Sequence, residues 1–164
     1  MNTYFSNGLF LFVIVIFLSP DLFYYTQIPL QTNNSGETNN SIVSKMLKYL
    51  DFDTLLYFAD SRDSLFDEQQ RNFMPIIHSF NALYNLQLRA SQSISESPKI
   101  PDSSRIRLEE LLLSFNFESL IGLFHATEAT KSLLAVLACK EGLLEVDEAT
   151  RLVNIKSFFI EKLF

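Results

Sequence analysis

The stretch from Asn116 to Phe164 constrains the fold most: a long apolar run, the turn Lys140-Glu141-Gly142, and an amphipathic run reaching Phe164. Asn116 is a good helix cap, Glu118 falls in the first turn where a carboxylate meets the positive end of the helix dipole, and Gly142 suits the left-handed residue that stops a helix. About two dozen residues rising ~1.5 Å each predict one rod of roughly 35 Å, the central helix of a small domain. Leu120, Leu123, Leu134 and Leu137 recur on one side. Ala126, Ala129, Ala135 and Ala138 lie close to another, where a neighbouring backbone can approach. Within the rod, His125-Ala126-Thr127-Glu128-Ala129-Thr130-Lys131-Ser132 interrupts the apolar character with small and polar residues. In the last helix Ala149, Leu152, Val153, Phe159, Ile160 and Leu163 form the buried stripe, while Ile155 and Phe158 lie off it, as in a wider core or an exposed contact surface.

Upstream the pattern breaks into shorter pieces. Ser41 is placed to cap a helix through Tyr49 in which Ile42, Met46, Leu47 and Leu50 share a face and Lys45 and Lys48 face water; Asp51 and Asp53 interrupt it. Thr54 to Phe58 favours a short strand or extended segment, and Leu86 to Ile94 alternates like an edge strand. Asp63 or Ser64 caps a helix through Asn72, and Pro75, best placed in a first turn, begins the next one. Ser95 to Ser103 reads as a loop; Asp102 or Ser104 then caps a helix through Leu113, with Ile106 and Leu111 to Leu113 inward and Glu109 and Glu110 outward. The expected organisation is an apolar segment over 1–27, a polar linker over 28–40 and a helical domain over 41–164.

Leu9 to Leu18 is an unbroken apolar run. Ten helical residues rise only about 15 Å, roughly half a bilayer core. Met1 to Gly8 holds no Lys or Arg, so a secretory signal fits poorly, and the run reads as a buried strand or as a signal or anchor.

Several function classes are disfavoured by what the chain contains. A net charge of -6 argues against binding nucleic acid through its phosphates. A single cysteine, Cys139, excludes an internal disulfide and a CxxC pair, and four glycines form no phosphate-cradling loop. His125 and Glu128, one helical turn apart, supply only two of the donors a metal needs. Ser132 and Lys131 are adjacent in a helix and point about 100° apart, so they form no dyad. Cys139 beside Lys140 reads as a small core residue. The adjacent carboxylates Glu109/Glu110 and Asp147/Glu148 read as solvated faces or dipole partners. With no catalytic constellation and no cofactor site, the reading that remains is a helical surface that recognises another protein.

Four segments in order carry a family resemblance: Lys48-Tyr49-Leu50 with Asp53-Thr54-Leu55-Leu56-Tyr57; Leu65, Gln69 and Pro75-Ile76-Ile77; His125 to Leu133 (HATEATKSL); and Leu143 to Ala149 (LLEVDEA), with Ile28-Pro29-Leu30 as a further match. They resemble the ATP synthase mitochondrial F(1) complex assembly factor 2 type family, chaperones that bind the alpha subunit of the F(1)-ATPase. The resemblance implies a mainly α fold: a helical domain with one or two short strands, built around the long helix and the C-terminal amphipathic helix, the family's N-terminal β domain mostly missing. It also implies no enzymatic activity, no cofactor, the alpha subunit as partner until it pairs with beta, and the mitochondrial matrix as location. Partner binding is then expected at His125, Glu128, Lys131, Ile155, Lys156 and Phe158. The sequence departs from the family pattern at Phe73-Met74, where a tryptophan-aspartate pair is expected, at Phe58, where an arginine is, and at Phe124 and Lys156, where acids are. Leu9 to Leu18 keeps open an alternative, a membrane-anchored helical interaction protein outside ATP synthase assembly.

Overall fold

The computed structural model describes residues 38–91 and 96–149. Helix α1 (Asn39–Leu47) starts two residues ahead of the expected Ser41: Thr38 is its cap, with Oγ1 accepting from the Ser41 N–H at 3.3 Å. Ile42, Val43 and Met46 are buried, while Lys45 and Lys48 face water as the pattern required. Beyond α1 the chain tightens into a 3-10 turn at Lys48–Phe52 and a second at Thr54–Leu56.

No strand forms at Thr54 to Phe58. Leu55 and Leu56 are consecutive and both fully buried, which a strand with one solvated face cannot achieve, and a 3-10 turn can. Tyr57 instead makes one isolated parallel bridge to Ser91, whose N–H donates to the Leu56 carbonyl at 2.7 Å. The expected edge strand at Leu86 to Ile94 is likewise reduced to an extended segment over its described part, 86–91, with Leu86 and Leu88 buried and Gln87 and Arg89 exposed. The fold is therefore mainly α, with no sheet among the described residues.

Helix α2 (Ser64–Tyr84) runs through Pro75 unbroken, where the sequence suggested two helices. The proline removes one backbone donor, but Phe73, Ile76, Ile77 and Phe80 are buried on the stripe that spans it, and that burial holds both halves in line. Asp63 is the cap, accepting from Leu65 N–H. At the far end Asn85 takes the left-handed conformation, φ 49°, and the Asn81 side chain turns the chain by accepting from Leu88 N–H at 2.8 Å and donating to its carbonyl at 2.9 Å.

Helix α3 (Asp102–Leu113) has no side-chain cap. Ser104 is instead buried, its Oγ accepting from Gln87 N–H at 2.9 Å. The buried stripe is Ser104, Leu108 and Leu112, a spacing of four, so Ile106 is 53% exposed rather than inward and Leu113 faces solvent too.

The predicted central rod is two helices, α4 (Phe117–Thr130) and α5 (Leu133–Lys140), separated at Lys131. Asn116 caps α4 as expected. In α5 every residue from Leu133 to Cys139 is buried, the signature of a helix surrounded by protein on all sides. Glu141 and Gly142 end it: Gly142 has φ 68°, its N–H donates to Cys139, and Leu143 N–H donates to Ala138, the paired bonds of a left-handed helix stop. Helix α1 packs against both α3 and α4, α4 against α5, and α5 against the turn Lys48–Phe52. Residues 146–149 open a further helix, with Ala149 buried as predicted. The rest of the stripe expected from Leu152 to Leu163, the run Leu9 to Leu18 and most of the polar linker lie outside the described residues.

Candidate functional site: the helix break and its aromatic-cationic face

Thr127 and Thr130 turn their hydroxyls back onto the Leu123 and Ala126 carbonyls, at 2.8 and 2.9 Å, and Lys131 then adopts φ 57° with its N–H on the Thr127 carbonyl. Ser132 restarts the helix: its Oγ accepts from Ala135 N–H at 3.0 Å. The Ser132 N–H, which a capping-box carboxylate at position 135 would take, donates to Thr130 Oγ1 at 3.2 Å, and a buried acid reaches the break from Asp53. Asp53 Oδ1 accepts from Ser132 Oγ at 2.6 Å and from Leu55 N–H at 3.1 Å, and Oδ2 accepts from Leu134 N–H at 2.9 Å. Asp53 and Ser132 are both 0% exposed. A fully buried carboxylate is tolerable only with such bonds, and its position at the α5 N-terminus adds the attraction of the helix dipole.

The break sets the face above it. Lys131, exposed, holds its ammonium over the Tyr49 ring, 5.8 Å from the centroid, and Lys45 of α1 lies over Phe124 of α4 at the same distance. Tyr49 packs on Phe52, which is 46% exposed, with ring centroids 5.3 Å apart. His125 Nδ1 and Glu128 Oε2 are 3.3 Å apart, with both side chains about half exposed. Of the residues expected to bind a partner, His125, Glu128 and Lys131 thus share one end of α4 and its solvent side; Ile155, Lys156 and Phe158 lie outside the described residues. Tyr49, Phe52 and Lys45 were not singled out by sequence, because the face exists only once α1 lies against α4.

Two departures from the family pattern acquire a physical meaning. Where an acid is expected, Phe124 offers the Lys45 ammonium the negative face of a ring, so the position still attracts a cation. Phe58 and Phe73, expected as arginine and tryptophan, are both 1% exposed and meet edge to face at 6.0 Å and 79°, with Phe66 on the other side of Phe58 at 6.1 Å. An arginine at position 58 would be a buried charge here, so the two replacements fit each other.

No group of three or more metal-ligating side chains occurs among the described residues. Cys139 is buried, and burial, with smaller contributions from Glu145 and Glu148, pushes its thiol up to about 11, the setting of an inert core thiol. Tyr84 is raised well above the usual phenol range, first by burial and then by its hydrogen bond to Glu141. The Glu141 carboxylate is held low, chiefly by its hydrogen bond from Lys140.

The fold is that of solved chaperone structures. Atp12 from Paracoccus denitrificans superposes with a TM-score of 0.66 at 21% identity, over 73% of this chain and 51% of that one. A protein of Agrobacterium tumefaciens described as a candidate chaperone superposes with a TM-score of 0.68 at 17% identity, over 80% of this chain and 49% of its own length. The chain therefore spans about half the length of the structures it matches. In sequence, residues 23–81 match the ATP12 chaperone protein family. The sequence match spans about a third of the chain, and the structural likeness, at 17–21% identity, extends over most of it as a likeness of fold.

Proposed function

We propose that this chain is a non-enzymatic assembly chaperone of the mitochondrial ATP synthase, which binds the unassembled F(1) alpha subunit in the matrix until beta takes its place. The observation that carries this reading is the ATP12 chaperone protein match over residues 23–81, which covers α1, both 3-10 turns and most of α2. The contact residues assigned to the alpha subunit are His125, Glu128 and Lys131 at the helix break, together with Ile155, Lys156 and Phe158, which lie outside the described residues.

The physical support is the composition of that face. It offers aromatic rings and long cationic side chains, groups that serve recognition of a folded or partly folded protein surface, and among the described residues it presents no nucleophile with a base in reach. Co-purification of the tagged chain from mitochondria tests the reading. The alpha subunit should be recovered free of beta, and Lys131→Glu should reduce recovery while leaving the circular dichroism of the chain unchanged. Recovery of no alpha subunit, or of alpha already paired with beta, contradicts it.

A further inference from the structure

A cleft of about 480 Å³ lies beside the extended segment 86–91, within the roughly 300–1,000 Å³ typical of ligand clefts. None of its lining residues belongs to the face around Lys131. Ser91 lines it at 8% exposure, and the Ser91 Oγ is buried with no hydrogen-bond partner among the described residues, although the Ser91 N–H is satisfied by Leu56. Such a hydroxyl is uncommon in a folded protein and has a donor to offer. Arg89 and Lys99, both exposed, bring two positive charges to the cleft against one carboxylate, Glu96. Neither cation is in an ion pair within the described structure. A local positive surplus in a chain of net charge -6 favours an anionic visitor. Pro98 and Pro101 add apolar wall, and the neighbouring backbone is extended, so the cleft suits a chain lying along it better than a compact ion.

We propose that this cleft binds an extended acidic segment of a polypeptide, a side-chain carboxylate resting between Arg89 and Lys99 and accepting from the Ser91 hydroxyl, which turns about χ1 to meet it. The cations give attraction and the hydroxyl gives direction. The site stands apart from the alpha-subunit reading: a chain that binds acidic peptide here yet captures no alpha subunit keeps this site and loses that function.

The test is a titration of the full isotope-labelled chain with oligoglutamate peptide, followed by the backbone amides of Gln87, Arg89, Ala90, Ser91 and Lys99, with oligolysine and acetate as separate arms. Oligoglutamate should shift these amides saturably and more weakly as salt rises. The double variant Arg89→Gln/Lys99→Gln should weaken binding about tenfold or more, as expected for two charge-assisted contacts. Ser91→Ala should weaken binding severalfold while Tm holds or rises, because it removes an unpaired buried hydroxyl; a fall in Tm would show that the hydroxyl serves the fold. Absence of saturable shifts, an equal response to oligolysine, or acetate saturating the same amides at the same carboxylate concentration overturns the proposal.

Discussion

Replacing Asp53 with alanine removes the acceptor of three hydrogen bonds at once, from Ser132 Oγ, Leu134 N–H and Leu55 N–H. Each bond to a charged acceptor contributes about 1.5–3 kcal/mol, and the donors left behind are buried with no room for bulk water, so their desolvation is not recovered. Part of the loss is offset because the variant no longer holds a desolvated carboxylate, the term that makes buried charges poor stabilisers. A net destabilisation of about 3–5 kcal/mol follows, comparable with the effect of breaking buried ionic contacts. Asp53→Asn separates the contributions. Its amide oxygen can keep the Ser132 and Leu55 bonds at the Oδ1 position, but its NH2 then faces the Leu134 N–H, donor against donor, and the charge at the α5 N-terminus is gone, for about 2–4 kcal/mol. Urea unfolding followed by circular dichroism measures both, and Ser132→Ala in the same series forms a double-mutant cycle. The cycle should show coupling of about 1 kcal/mol or more between positions 53 and 132, although they are 79 residues apart in sequence. If Asp53→Ala shifts stability by less than about 0.5 kcal/mol, the carboxylate does not hold the break, and the reasoning behind the divided central helix is wrong.

Three further outcomes follow from the same structure. The Cys139 thiol, with its pKa moved from 9.0 to about 11, keeps its proton in the folded chain where the unfolded chain loses it, so this group's contribution is constant below pH 9 and declines as pH rises toward 11; Cys139→Ala should flatten that part of the stability profile, and alkylation of the native chain at pH 8 should be far slower than of the unfolded chain. Lys131→Gly relieves a left-handed lysine and should raise stability by roughly 0.5–1 kcal/mol in thermal unfolding, while weakening alpha-subunit capture through loss of the ammonium over Tyr49; a fall in both would mean the lysine conformation is not strained. Pro75→Ala restores a backbone donor inside α2 and should stabilise the chain by about 1 kcal/mol or more, read as a higher urea midpoint at unchanged slope.

The helical character was legible because long runs with a buried stripe leave few other folds open: Asn116 as a cap, Gly142 as a stop, Cys139 as a core thiol and the outward Glu109 and Glu110 all follow from local rules. What escaped the sequence was set by distant partners. Only Ser132, a residue suited to capping, hints at a break near Thr130-Lys131-Ser132, since lysine is not a left-handed residue by preference; the buried acid that takes the Ser132 hydroxyl and the Leu134 N–H arrives from Asp53 through the tertiary fold. Pro75 misled in the opposite direction, because propensity divides a helix that burial of Phe73, Ile76, Ile77 and Phe80 holds together. The apolar character of Ile106 alone points it inward, whereas α3 buries a stripe only one residue wide. The surface beside His125 shows the same limit: its aromatic members Tyr49 and Phe52 come from a different element, and only the packing of α1 on α4 brings Lys45 over Phe124.

The central proposal, that the chain shields an unassembled alpha subunit, is tested most directly by diluting denatured purified alpha subunit into buffer and following its aggregation by light scattering as the full chain is added. Suppression that saturates near one chain per alpha subunit, and that is relieved when beta is supplied, is the predicted result. Aggregation unchanged at every ratio, or suppression equal to that of an unrelated acidic helical protein, would contradict it.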